Sequence, residues 1–180
     1  MPKEPNRFAK FVMKARRYPI EGNIKTKEEA QMVHDLALEE LQRRKAFFEQ
    51  YKSNIRIDER LNQYNKPEIH FTILGPNNQE IAKIELSNQE KNTWVLESIS
   101  TGGFLPSQKI YRDLGFARVL IEKAIKELKQ LGAKRLEFKA VLGTTKWYES
   151  LGAKYQNGKI IQIINKIGFG TVPMYFDLTK

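Results

Sequence analysis

The run Tyr111-Arg112-Asp113-Leu114-Gly115-Phe116-Ala117-Arg118-Val119-Leu120-Ile121 passes straight into an amphipathic helical pattern, and residues of these types at this spacing can bind a phosphate group. The first backbone N–H groups of a helix have no intrahelical acceptor, and the helix dipole adds roughly half a positive charge at that end. A tight turn there lays amides around a pyrophosphate. Gly115 and Ala117 keep bulk out of such a cradle. The same residues have a plainer reading, with Gly115 an ordinary loop glycine and Leu120, Ala124 and Leu128 ordinary core.

Other chemistries are excluded or disfavoured by composition. The 180 residues include no cysteine, so thiol nucleophiles, disulfide frameworks and cysteine-zinc sites are absent, which suits a reducing compartment such as the cytoplasm. His34 and His70 are the only histidines, and neither sits at a metal-ligand spacing with a nearby carboxylate. No metal is expected, and His70, at the opening of a strand-like segment, reads as structural. No apolar run approaches the roughly 20 residues of a membrane span, and the N-terminus lacks the apolar core of a secretory signal.

The formal net charge is +10, which draws a protein toward polyanions and nucleotides. Part of the excess surrounds the phosphate turn, where Lys109, Arg112, Arg118, Lys123 and Lys126 outnumber the nearby acids. Another part lies between Met1 and Arg17, where Lys3, Arg7, Lys10, Lys14, Arg16 and Arg17 face only Glu4. Phe8 to Tyr18 reads as a short basic amphipathic helix, either docked on its own domain or touching nucleic acid, lipid or an import receptor. The Arg43-Arg44-Lys45 cluster reads as a solvated complement to a helix C-terminus or as a polyanion contact.

The elements that must position the turn follow from periodicity. Thr26-Lys27-Glu28-Glu29 resembles a capping box, and Ala30, Val33, Ala37 and Leu41 continue it at helical spacing, predicting a helix to about Tyr51. Segments 68–74, 80–86 and 93–100 alternate and are split by Gly75-Pro76-Asn77-Asn78 and by residues 88–92, predicting an antiparallel meander. Asn54 to Ile57 is a candidate for one further strand. Downstream the pattern predicts a helix over 116–131 stopped by Gly132, a strand over 135–141, a short helix over 144–151 stopped by Gly152, and strands over 159–167 and 173–178. The fold class is therefore α/β, of the α+β kind: a mixed, mostly antiparallel sheet flanked by helices. Residues 1–25 form a basic extension and residues 26–180 a single domain.

Arg112-x-x-Gly115-x-Ala117 is similar to the (Gln/Arg)-x-x-Gly-x-(Gly/Ala) acyl-CoA signature of the GNAT family of N-acetyltransferases, and Tyr148-Glu149-Ser150-Leu151-Gly152 resembles that family's second signature. The two stand in the family's order, and the resemblance covers roughly residues 68–179. It implies a sheet whose central strands splay apart after the fourth, so that the pantetheine arm of acetyl-CoA lies against 93–100, continuing to Phe104 and Leu105. It implies that Arg112, Asp113, Leu114, Gly115, Phe116 and Ala117 hold the cofactor and that Tyr148 is the acid for the departing thiolate. Glu97 resembles the position from which some members supply a carboxylate base, and it equally fits a solvent-facing place in an alternating strand. Val141 and Thr144 stand where the family often has Asn and Ala. The activity implied is acetyl-CoA-dependent transfer to an amine by direct attack in a ternary complex. The alternative is a CoA-binding protein without turnover, or a basic protein whose partner is nucleic acid or the ribosome.

Overall fold

A computed structural model describes residues 27–90, 92–102, 114–156 and 170–179. The chain divides into two compact units, residues 1–50 and 51–180. The described residues of the first all belong to helix α1, Lys27–Tyr51, whose last residue is the first of the second unit; this is the helix expected there. The basic segment 8–18, Thr26 and the segment 159–167 lie outside the described residues. No described helix is long and apolar enough to cross a membrane.

The second unit is built on one seven-stranded sheet. In chain order it holds β1 (Ile55–Leu61), β2 (Pro67–Leu74), β3 (Glu80–Glu90), β4 (Thr93–Thr101), helix α2 (Phe116–Gln130), β5 (Arg135–Val141), the short helix α3 (Thr145–Ser150), β6 (Lys154–Tyr155) and β7 (Thr171–Asp177). The order across the sheet is β1-β2-β3-β4-β5-β7-β6. All neighbours are antiparallel except β4 and β5. The expected meander is present, and β1 adds the further strand to its outer edge.

Strand alternation divides the sheet into two chemically different faces. Ile69, Phe71 and Ile73 of β2 are level with Leu86, Ile84 and Ala82 of β3, and all six are buried. Trp94 and Leu96 of β4 continue this apolar face. Helix α2 packs over β2, β3 and β4 with Phe116, Leu120, Ile121, Ala124 and Leu128 buried, a stripe at helical spacing that covers apolar strand residues. The opposite face of the meander carries Glu68, His70 and Thr72 level with Ser87, Glu85 and Lys83. It is polar apart from Val95 of β4, which is level with Ser87.

Gly132, at φ +76°, ends α2 in the left-handed conformation that a helix stop favours. Its N–H bonds the Lys129 carbonyl at 3.0 Å, and Ala133 bonds the Leu128 carbonyl at 2.9 Å, which turns the chain back into β5.

Candidate active site

The sheet opens at its one parallel junction. β4 and β5 pair at Thr93 with Arg135, Trp94 with Leu136 and Val95 with Glu137, while β4 runs on to Thr101 and β5 to Val141. Beyond Val95 the two strands have no pairing among the described residues, which leaves a slot between them. The register of β4 against β3 also breaks here: Leu86 faces Leu96 and Glu85 faces Ser98, which leaves Glu97 as the extra residue of a β-bulge. A bulge bends a strand and re-aims a side chain. The bend starts where the strands part.

Glu97 is exposed and turns to the polar face. Its carboxylate accepts a short hydrogen bond from the Ser87 hydroxyl, and Gln89 Nε2 approaches the same Oε1 at 3.3 Å. Among the described residues no cation pairs with Glu97. The other carboxylates on this face are matched: Arg60 Nε bonds Glu68 Oε2 at 3.1 Å, and Lys83 Nζ lies 2.7 Å from Glu85 Oε1. The Lys83 hydrogen bond, joined by one from Ser98, holds the Glu85 carboxyl below its usual value against the opposing effect of burial. His70 is buried between the two acids, with Nε2 3.5 Å from Glu68 and Nδ1 3.9 Å from Glu85.

Tyr148 approaches from the other side of the sheet. Leu136 is level with Trp94, so the alternate residue Phe138 shares the apolar face, and the Tyr148 ring lies 4.5 Å from the Phe138 ring, tilted by 44°. Phe138 in turn stacks on Phe176 of β7 at 5.4 Å, and Trp147 meets Tyr148 edge-on at 4.7 Å. Tyr148 is 6 % exposed, and burial pushes its phenol above the ordinary value. Its hydroxyl has no hydrogen-bond partner among the described residues.

The start of α2 turns at Gly115. Gly115 adopts φ +96° and ψ 1° at the N-cap of α2, a conformation that a side chain disfavours. Its carbonyl accepts the Arg118 N–H at 3.0 Å and the Val119 N–H at 3.3 Å, leaving the Ala117 N–H without an acceptor among the described residues. Leu114 is half-buried, Gly115 exposed, Phe116 buried and Ala117 half-buried. Phe104, Leu105, Arg112 and Asp113 lie outside the described residues. Glu97 lies on the polar face of the sheet and Tyr148 contacts Phe138 on the apolar face, so the strand register sets the two on opposite faces near the parting of β4 and β5.

A strand order with three antiparallel strands, a helical crossover, one parallel strand and a splayed junction is the order that the sequence resemblance implies. The chain resembles GNAT-family acetyltransferases in fold. No protein-family model matches the sequence, and no curated protein sequence matches it. Among solved structures it is similar to the ribosomal-protein-S18-alanine N-acetyltransferase of Escherichia coli (17 % identity, 63 % of this chain and 70 % of that one, TM-score 0.47). It is also similar to a GNAT acetyltransferase of Staphylococcus aureus (14 % identity, 62 % and 68 %, TM-score 0.48). A third is a GNAT N-acetyltransferase of Escherichia coli in complex with CoA (12 % identity, 62 % and 59 %, TM-score 0.46).

Sequence reasoning did not find the pocket on the polar face. A cavity of about 830 Å³ is lined by Arg60, Tyr64, Lys66, Ser87, Gln89 and Glu97, among others. These residues share no local motif, and the antiparallel pairing of Glu68 with Ser87 brings them together. Among the described residues no group of three or more His, Asp or Glu side chains is placed to hold a metal.

Proposed function

We infer that the chain is an acyl-CoA-dependent N-acetyltransferase that moves an acetyl group from acetyl-CoA to an amine by direct attack. The observation that carries this reading is the slot between β4 and β5, with a bulge at its fork, Tyr148 beside it on one face and Glu97 on the other. Direct transfer suits a chain without a cysteine to carry the acetyl group.

In this reading the thioester lies in the slot, where β4 backbone N–H groups stabilise the oxyanion that develops as the amine attacks. The amine nitrogen forms a bond to the carbonyl carbon, the carbon–sulfur bond breaks, and the thiolate takes a proton. Tyr148 supplies that proton. Its raised value keeps it protonated at neutral pH, and because a thiolate of pKa about 8.5 is the weaker base, transfer depends on a close hydrogen bond as the charge develops. Glu97 accepts one proton from the incoming ammonium, freeing the lone pair, and the second amine proton offsets the one delivered to sulfur. The α2 start, with Gly115 and the Ala117 N–H, holds the phosphates, together with Arg112 and Asp113.

Thermal stability with saturating acetyl-CoA, using ATP as the control for general polyanion binding, tests the reading. At a hundredfold excess over Kd, linkage gives about 2.7 kcal/mol, a rise of roughly 5–11 °C for a domain of this size. A rise with acetyl-CoA alone supports the cofactor site. No rise, or an equal one with ATP, overturns it and favours polyanion binding.

A further inference from the structure

The polar-face pocket presents one carboxylate and one ammonium that have no opposite charge of their own among the described residues. Glu97 is held by Ser87 and Gln89, both neutral. Lys66 Nζ bonds Gln89 Oε1 at 3.3 Å and has no acidic partner among the described residues. The Gln89 amide joins the two, its oxygen facing Lys66 and its nitrogen facing Glu97. Lys66 Nζ and Glu97 Oε1 are thus no further apart than two hydrogen bonds of 3.3 Å and one amide group. Arg60 is committed to Glu68, so it does not neutralise Glu97.

Lys66 is also placed rather than loose. The β1–β2 turn is built on Asn62, whose Oδ1 accepts the Tyr64 N–H at 2.9 Å and the Lys66 N–H at 3.0 Å. The backbone closes it, with Asn62 N–H to the Lys66 carbonyl and Asn65 N–H to the Asn62 carbonyl, each at 2.9 Å. Asn65 takes the left-handed conformation, at φ +59°, that asparagine tolerates in turns. A lysine rooted in an ordered turn has less backbone freedom to lose when a ligand arrives.

A cation and an anion separated by one amide, both facing a cavity of about 830 Å³, complement a ligand bearing both charges in reverse order. We propose that this pocket is the acceptor site and that the acceptor is a small amino acid, its amine on Glu97 and its carboxylate on Lys66. The span accommodates one to three carbons between the two groups. A simple amine leaves Lys66 facing apolar carbon, and a diamine meets it with like charge. This rests on the acetyl-transfer reading, which makes Glu97 the partner of the attacking amine.

The test is a heteronuclear NMR titration of the full chain with β-alanine, propylamine and 1,3-diaminopropane, which match in length and differ in the group opposite the amine. β-Alanine is expected to move the amides of Lys66, Gln89 and Glu97 saturably and to bind about tenfold or more tightly than propylamine, the size of one hydrogen bond between charged groups. Lys66→Gln brings β-alanine to the level of propylamine, and Lys66→Glu shifts the preference to 1,3-diaminopropane. Equal binding of the three ligands, no binding of any, or an unchanged order in Lys66→Gln overturns the proposal. Failure of acetyl-CoA to bind overturns the transfer reading by a separate measurement, while acetylation of amines without this discrimination overturns only the acceptor assignment.

Discussion

Phe138 is the first residue of β5 beyond its last pairing with β4, and its ring lies 4.5 Å from that of Tyr148. The position of the phenol is therefore tied to the point where the sheet opens. The tie is apolar, leaving the hydroxyl without a competing partner among the described residues.

Tyr148→Phe removes the hydroxyl and keeps the ring contact. Turnover is expected to fall about 10²–10⁴-fold, the usual size of general acid–base assistance, with little change in the Kd for acetyl-CoA. Burial raises the Tyr148 phenol, and an ionised phenol cannot donate, so its loss of a proton produces a falling limb only above its ordinary pKa of about 10. That limb disappears in the variant. Steady-state kinetics across alkaline pH, with acetyl-CoA binding measured in parallel, read both effects; a wild-type rate in Tyr148→Phe assigns the residue to packing.

Phe138→Leu separates position from chemistry. It keeps an apolar side chain next to the ring but loses the aromatic contact with Tyr148 and with Phe176. The stability cost is about 1 kcal/mol, and kcat is expected to fall while KM for acetyl-CoA stays level. Phe138→Ala, which leaves a cavity, costs about 3–5 kcal/mol. Denaturant unfolding and kcat on the same samples distinguish the two; an unchanged kcat in Phe138→Leu removes this contact from catalysis.

Much of this frame was legible in the chain, because burial imposes a period on it. Leu120, Ala124 and Leu128 repeat at helical spacing because α2 buries one stripe, and Ile69, Phe71 and Ile73 alternate because β2 buries one face. Gly132 and Gly152 marked helix ends, and both take positive φ. β1 was harder to read: Arg56, Asp58, Glu59 and Arg60 are all exposed on an edge strand, so no burial pattern distinguishes it from a loop. β6 has only Lys154 and Tyr155, too few for any period. The bulge at Glu97 has no glycine to announce it, since register between strands creates it. For the same reason Lys66 and Gln89, which are far apart in sequence, gave no local sign of sharing a pocket.

Gly115 is tested by a pair of substitutions. At φ +96° any side chain is strained, at a cost on the order of 1–2 kcal/mol, and Asp adds a negative charge where phosphates are expected. Gly115→Ala is expected to weaken acetyl-CoA modestly, through displacement of the turn, and Gly115→Asp to abolish measurable binding at equal thermal stability. Calorimetric titration of both variants decides; equal affinities for the Ala and Asp proteins would remove the α2 start from the phosphate site.

Glu97→Gln keeps the shape of the side chain and its contact with Ser87 while losing the proton acceptor. Because Glu97 is exposed and lies outside the core, unfolding stability is expected to stay within about 0.5 kcal/mol. At neutral pH most of an amine of pKa near 10 is protonated, and the variant can use only the free fraction. That fraction rises tenfold for each pH unit below the amine pKa, so kcat/KM in Glu97→Gln is expected to be low at pH 7 and to climb with that slope, approaching wild type near the amine pKa. The wild-type profile is flatter, since Glu97 removes the proton within the complex. Parallel profiles for the two proteins, offset by a constant factor, would show that Glu97 positions the acceptor without taking its proton.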